Sequence, residues 1–265
     1  MTDDTLPTAG RSPSTAREPV PQTIKIVLCT LVPSGEDRDS GAGLLGEAER
    51  ERAARFVFAR DRWSYTAAHA LLRAMLAEFH GLPPLAWRFR ANGHGRPEID
   101  PAIAPPALPQ FNISHTRGMA ACALTTGPLP AGVEVGVDAE CLGRPTDSLA
   151  LAERYFSHHE AEWLRALPQA RLDAEFLRLW TLKEAVAKAV GLGLALDFKA
   201  FHCSLNPLSV SFEGPGFGPP GAWDLKNWLV DGGHWVSLAV RRPPGTLVNL
   251  EIRHLRGNFP DAGRN

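Results

Sequence analysis

The stretch VEVGVDAE, residues 133 to 140, alternates strictly between apolar and polar or small residues. As a strand it puts Val133, Val135 and Val137 on one face and Glu134, Gly136, Asp138 and Glu140 on the other. Carboxylates sharing a face repel unless a cation lies between them. Two of them, joined by substrate phosphates, suit octahedral Mg²⁺, which keeps several waters and seldom takes a full protein cage. The plainer reading is a solvated face opposite three core valines, and Glu134 competes with Asp138 and Glu140 as a ligand.

About forty residues on, WTLKEAVAKAVG (180 to 191) supplies Lys183, Glu184 and Lys188. Glu184 and Lys188 have the i,i+4 order of an ordinary surface ion pair, which contributes only about 0.3–0.5 kcal/mol. Winding the segment at about 100° per residue puts Phe176, Leu179, Trp180, Ala187 and Val190 on one apolar stripe with Lys183 in its middle. A lysine there must snorkel, pair, or face an anion-holding crevice. Glu184 and Lys188 lie together on the flank of the stripe, beside Leu177.

Two further stretches carry groups suited to phosphate. NISHTRG (112 to 118) presents Ser114 and His115 after an apolar pair, and a turn there offers a hydroxyl, an imidazole and backbone N–H groups. A Ser-His dyad for acyl transfer is disfavoured, since adjacent residues rarely reach each other and no GxSxG elbow is present. GHGRP (93 to 97) sets Arg96 in a Gly-rich turn where the backbone can approach a flat ligand. Arg50, Arg52, Arg55, Arg60 and Arg62 stand among aromatics, but Glu47, Glu49, Glu51 and Asp61 nearly balance them. Most of that cluster reads as a solvated helix face.

The elements that must position these residues follow from periodicity and breakers. TIKIVLCTL (23 to 31) is a strand, and residues 47 to 81 are helical until Gly81, Pro83 and Pro84 stop them. Short extended pieces follow between Ala86 and Ile113, then a strand at 119 to 127 and the alternating strand at 133 to 140. A second helical block runs from about Leu149 to Gly191 with a break near Pro168, and the remainder, including AWDLKNWLV and HWVSLAVRR, is strand. The order strand, helices, strands occurs twice. The expectation is an α+β fold of two similar halves, 23–130 and 131–250, with the site in the cleft between them. Residues 1–22, rich in Pro, Ser, Thr and Gly, and residues 251–265 are expected to be tails.

With 265 residues, 44% hydrophobic and 22% charged, the chain has the composition of a soluble globular protein. A formal net charge of -1 gives no global field for nucleic acid or an anionic membrane. Four cysteines without a CxxC pair argue against a zinc site or a disulfide framework and fit a reducing cytoplasm. No uncharged apolar run reaches the roughly 18 residues of a membrane span, and the N-terminus lacks the apolar core of a secretory signal.

The order GRP, FNISH, GVDAE and FxxLWxxKEAxxK resembles the 4′-phosphopantetheinyl transferases of the larger, surfactin-synthetase-activator type, over roughly residues 23 to 245. The resemblance implies two α+β halves related by a pseudo-twofold. It implies Mg²⁺-dependent transfer of phosphopantetheine from coenzyme A to a serine of an apo acyl or peptidyl carrier protein, with release of 3′,5′-adenosine bisphosphate. Asp138, Glu140 and Glu184 would hold Mg²⁺, and Glu184 would also deprotonate the serine. Lys188 would stabilise the leaving phosphate. Ser114 and His115 would contact the coenzyme A phosphates, Arg96 would lie along the adenosine, and Arg52 would approach the 3′-phosphate. Many relatives have an Arg near Ser64 for that phosphate, and Arg60 or Arg62 is the candidate replacement here. Ala139 leaves the metal one protein ligand fewer than in relatives with a third acid. A monomer is expected, as both halves lie in one chain. The competing readings are a Mg²⁺-dependent phosphohydrolase and a non-catalytic homologue that binds coenzyme A or carrier proteins.

Overall fold

A computed structural model describes residues 22–34, 41–103, 108–143, 146–214, 216–231 and 233–260. The expected N-terminal tail lies, except for Gln22, outside the described residues. The first half runs β1 (Thr23–Val32), α1 (Glu47–Ala54), α2 (Ala59–His80), β2 (Phe89–Ala91), β3 (Pro97–Ile99), β4 (Phe111–Thr116) and β5 (Met119–Thr126). The second runs β6 (Glu134–Cys141), α3 (Ser148–Tyr155), α4 (His158–Arg165), α5 (Gln169–Ala189), β7 (Phe201–Leu205), β8 (Leu208–Phe212), β9 (Trp223–Val230) and β10 (His234–Arg241), and β11 (Leu247–Arg256) closes the chain.

Both halves use one connectivity. In the first, β1 leads through α2 and the β2–β3 hairpin to β4 and β5, and the sheet order is β1-β5-β4. In the second, β6 leads through α5 and the β7–β8 hairpin to β9 and β10, with order β6-β10-β9. α2 packs on β4 and β5, and α5 on β6 and β10.

Strict alternation along β1 feeds two interiors. Val27, Cys29 and Leu31 face α2, while Ile24, Ile26 and Leu28 face the second sheet. Val133, Val135 and Val137 meet the latter set, as their spacing predicts, together with Leu238 and Val240 of β10. A third interior lies under α5, around Phe156, Phe176, Leu182 and Phe201. The four cysteines are free thiols; burial pushes Cys29 and Cys203 up to about 12, so neither is reactive near neutral pH.

Residues 251–256, expected in a tail, instead form the second part of β11. That strand lies parallel to β1 at the edge of the first sheet, paired from Thr23–Leu247 to Val32–Arg256. The last described strand therefore belongs to the same sheet as the first described strand. The helical segment expected over residues 47 to 81 forms two helices, α1 and α2, separated at Arg55–Phe58. Gly81 ends α2 at φ 74°, its N–H donating to the Ala77 carbonyl.

Candidate active site

Asp138 and Glu140 leave β6 on the side covered by α5. Close packing there depends on Gly136: a Cβ at this position would lie 2.0 Å from the Ala185 carbonyl oxygen and 2.4 Å from the Ala189 nitrogen. Glycine on the strand and alanines at i and i+4 on the helix let the two backbones nearly touch. That contact brings Glu184 and Lys188 over Asp138.

The other edge of β6 faces β4, and side chains of β4 satisfy it. The Val137 N–H donates to Asn112 Oδ1 at 3.0 Å, and the Ala139 N–H to Ser114 Oγ at 3.3 Å. The two halves are thus joined along the strand that carries the acids. Ser114 Oγ donates to Asp138 Oδ1 at 2.8 Å. Lys188 Nζ donates to the same oxygen at 2.7 Å and to Ser114 Oγ at 3.1 Å. Thr116 Oγ1 donates to Glu140 Oε2 at 3.2 Å.

Asp138 and Glu184 are nearly buried, at 6% and 9% exposure. Burial, followed by the like charge of Asp138 and then that of Glu140, pushes the Glu184 carboxyl up to about 7, against the pull of Lys188. Such concentrated negative charge is what a cation relieves. Among the described residues no three or more His, Cys, Asp or Glu side chains form a ready-made metal cage. Mg²⁺, which takes one or two carboxylates and completes its shell with water and phosphate, does not need one.

These groups line one wall of a cleft of about 1140 Å³. The first half contributes Glu49 and Arg52 of α1, Arg55 just after it, Tyr65 and His69 of α2, Arg90, Gly95 and Pro97 around the β2–β3 hairpin, and Ser114 and His115 of β4. The second contributes Asp138, Glu140, Trp180, Glu184 and Lys188. The volume exceeds the upper end of ordinary small-molecule pockets, about 1,000 Å³, and suits a nucleotide with a long arm. The His115 ring is open to the cleft on one side. His115 is exposed, so desolvation acts on it only in part; that and then the Lys188 ammonium push its imidazole below the usual histidine range. Burial alone would raise Glu49, but hydrogen bonds from His69, Arg73 and the Gly46 N–H overcome this and hold it below the usual carboxylate range. Arg52 lies over the Tyr65 ring, its guanidinium carbon 5.8 Å from the centroid.

Of the residues singled out from sequence, Arg52, Ser114, His115, Asp138, Glu140, Glu184 and Lys188 therefore meet around one cleft. Arg96 does not line it. Its guanidinium turns away and donates to four carbonyls, those of Lys188, Ala189, Phe111 and Val135. Glu134, weighed as a competing ligand, pairs with Arg241 at 2.7 Å and is not in the cleft wall. Lys183 faces no crevice: it is fully buried, bonded to both Glu160 oxygens at 2.9 Å and to the Phe201 carbonyl at 2.7 Å. Ser64 is buried and spends its hydroxyl on the Arg60 and Thr116 carbonyls. Arg60 and Arg62 do not line the cleft either. Tyr65, His69 and Arg90 were not singled out. The i,i+4 spacing of Tyr65 and His69, two polar aromatics on one helix face, is the signal that could have found them.

Two family models match the chain. One, described as the 4′-phosphopantetheinyl transferase superfamily, covers residues 134–239; the other, described as 4′-phosphopantetheinyl transferase, N-terminal, covers residues 32–126. The 4′-phosphopantetheinyl transferase HetI of Nostoc sp. is 37% identical over 200 residues, which are 75% of this chain and 79% of that protein. The 4′-phosphopantetheinyl transferase ffp of Bacillus subtilis is 30% identical over 213 residues, 79% of this chain and 88% of its own. The L-aminoadipate-semialdehyde dehydrogenase-phosphopantetheinyl transferase of Mus musculus is 28% identical over 235 residues, 82% and 71% respectively.

Proposed function

Since the chain belongs to the 4′-phosphopantetheinyl transferase superfamily, we propose that its cleft moves the phosphopantetheine arm of coenzyme A onto a serine hydroxyl of an apo acyl or peptidyl carrier protein. The observation that carries this reading is the meeting of Ser114, Asp138, Glu184 and Lys188 within hydrogen-bonding or strong electrostatic reach on one wall of a cleft shared by both halves.

The chemistry needs a hydroxyl oxygen to attack the β-phosphorus of the diphosphate while the bond to the 3′,5′-adenosine bisphosphate oxygen breaks. Little covalent work falls to the protein; positioning and charge neutralisation dominate. Asp138, Glu140 and Glu184 are the acids from which the one or two carboxylate ligands of Mg²⁺ would come, and the ion when bound supplies neutralisation of the diphosphate. The Glu184 carboxylate faces the cleft beside Asp138 and Lys188 and is the group to take the serine proton, directly or through a water. Lys188, on the same wall, meets the charge that gathers on the leaving phosphate. Ser114 and neutral His115 can donate hydrogen bonds to phosphate oxygens, and Arg52, Arg55 and Arg90 provide cations for the phosphate end of the donor.

Both halves build the cleft within one chain, which supports action as a monomer. No helix among the described residues is long and apolar enough to cross a membrane. The four free thiols support a cytoplasmic setting.

Intact-mass spectrometry of a panel of apo carrier proteins, incubated with this protein, coenzyme A and Mg²⁺, tests the reading. The expected result is a gain of one phosphopantetheine, lost with EDTA and with Glu184→Gln. Steady phosphate release without carrier modification would replace the transferase by a phosphohydrolase. Coenzyme A binding with no gain on any carrier would point to a non-catalytic homologue.

A further inference from the structure

We infer that Arg96 is a positioning residue for the transfer step: from outside the cleft it sets Lys188, Asp138 and Ser114 in register with one another. The inference rests on the proposed role of those three residues.

Nη1 donates to the Lys188 and Ala189 carbonyls at 2.7 and 3.0 Å. Those are the last two residues of α5, where the Lys188 carbonyl also accepts from the Gly191 N–H at 3.1 Å and the negative end of the helix dipole welcomes a cation. Nη2 donates to the Phe111 and Val135 carbonyls, each at 3.2 Å. Three residues beyond Phe111 on β4 is Ser114; three residues beyond Val135 on β6 is Asp138. One guanidinium therefore grips the three elements that bear the bonded trio, about 10 Å along the strands from the trio itself.

The loop behind Arg96 is fixed as well. Asn92 Oδ1 accepts from the His94 and Arg96 amides at 2.9 and 3.0 Å, and the Asn92 N–H donates to the Arg96 carbonyl at 2.8 Å. Gly95 and Pro97 on either side line the cleft. The hairpin thus borders the cleft through Arg90, Gly95 and Pro97 and reaches the rear of the site with the Arg96 guanidinium. Only a planar fork of five donors serves four carbonyls from two nitrogens; a lysine has three donors on one atom.

The test is steady-state transfer by the full chain, comparing wild type with Arg96→Gln and Arg96→Lys, while calorimetry measures coenzyme A affinity and binding stoichiometry. An inactive wild type would sink the transferase reading itself. With wild type active, Arg96→Gln is expected to lower kcat about 10- to 100-fold per binding-competent molecule. The KM and affinity for coenzyme A should stay within about threefold, and Arg96→Lys should recover part of kcat. A rise in coenzyme A KM at unchanged kcat would make Arg96 a donor contact and overturn the inference. So would an unchanged kcat per binding-competent molecule. Should Arg96→Gln not fold, the same split in Arg96→Lys decides.

Discussion

Lys183 and Glu184 are neighbours on α5 that serve two different interiors. The Lys183 ammonium lies 4.0 Å from the centre of the Phe201 ring and is tied to Glu160 in the core of the second half, while Glu184 faces the cleft among Asp138, Glu140 and Lys188. One residue step, about 100° around the helix, separates a charge spent in the core from one that faces the cleft.

Lys183→Met should therefore cost about 3–5 kcal/mol, because it leaves the Glu160 carboxylate buried without its cation. Transfer per folded molecule should survive. Urea unfolding and activity normalised to folded protein check this; a stable but inactive variant would return Lys183 to the reaction.

Glu184→Gln should abolish transfer and change the pH dependence of stability. In metal-free wild type the folded state keeps the Glu184 proton to about pH 7, whereas the unfolded chain releases it near 4.5. Between those values the folded state binds more protons, so this group's contribution to stability falls as pH rises through the window and is level above it. The loss is on the order of 2–3 kcal/mol and is absent in the variant. Urea melts of both proteins in EDTA at pH 5 and pH 8 should show the variant gaining on wild type at the higher pH. Parallel pH profiles would contradict the burial and repulsion assigned to Glu184.

Asp138→Asn should raise the Mg²⁺ concentration for half-maximal transfer by about tenfold or more, since it removes a carboxylate proposed for the metal. It also exchanges the ion pair with Lys188 for a hydrogen bond from the ammonium to an uncharged amide oxygen. A metal titration of the rate gives the answer, and an unchanged titration removes Asp138 from the ligand set.

Gly136→Ala should be costly out of proportion to one methyl group. Its Cβ would press on the Ala185 carbonyl and the Ala189 amide of α5, backbone atoms that cannot rotate away. Overpacking of this kind costs about 1–3 kcal/mol. Lifting α5 also parts Lys188 from Asp138, so activity should fall further than folded fraction. Equal losses of the two would mean that the helix tilts without moving the site.

What the sequence made legible was governed by period. The alternation over 133–140 fixed which side of β6 carries Asp138 and Glu140. The stripe on α5 identified the buried side on which Lys183 stands. Partners distant in sequence carried no such signal. Glu160, which neutralises Lys183, lies on α4, 23 residues away. The direction of the Arg96 side chain depends on the turn at Asn92–Arg96 and on carbonyls up to 93 residues distant. β11 has no fully buried position; its half-buried residues alternate with exposed ones but change face at Glu251–Ile252, and polar and apolar residues lie on both faces, as on an edge strand. Its composition therefore resembles a loose tail until its pairing with β1 is seen.

That pairing gives the chain an order of assembly. β1 and β11, the first and last of the described strands, lie side by side, and Thr30 Oγ1 meets His254 Nδ1 at 2.7 Å across 224 positions. As the polypeptide grows, β1 can engage β5 early, but its other edge stays bare until β11 has been synthesised. The first half is thus begun before the second and finished after it. Contacts of such long range are slow to form, and an unpaired edge is where a nascent chain is open to wrong partners.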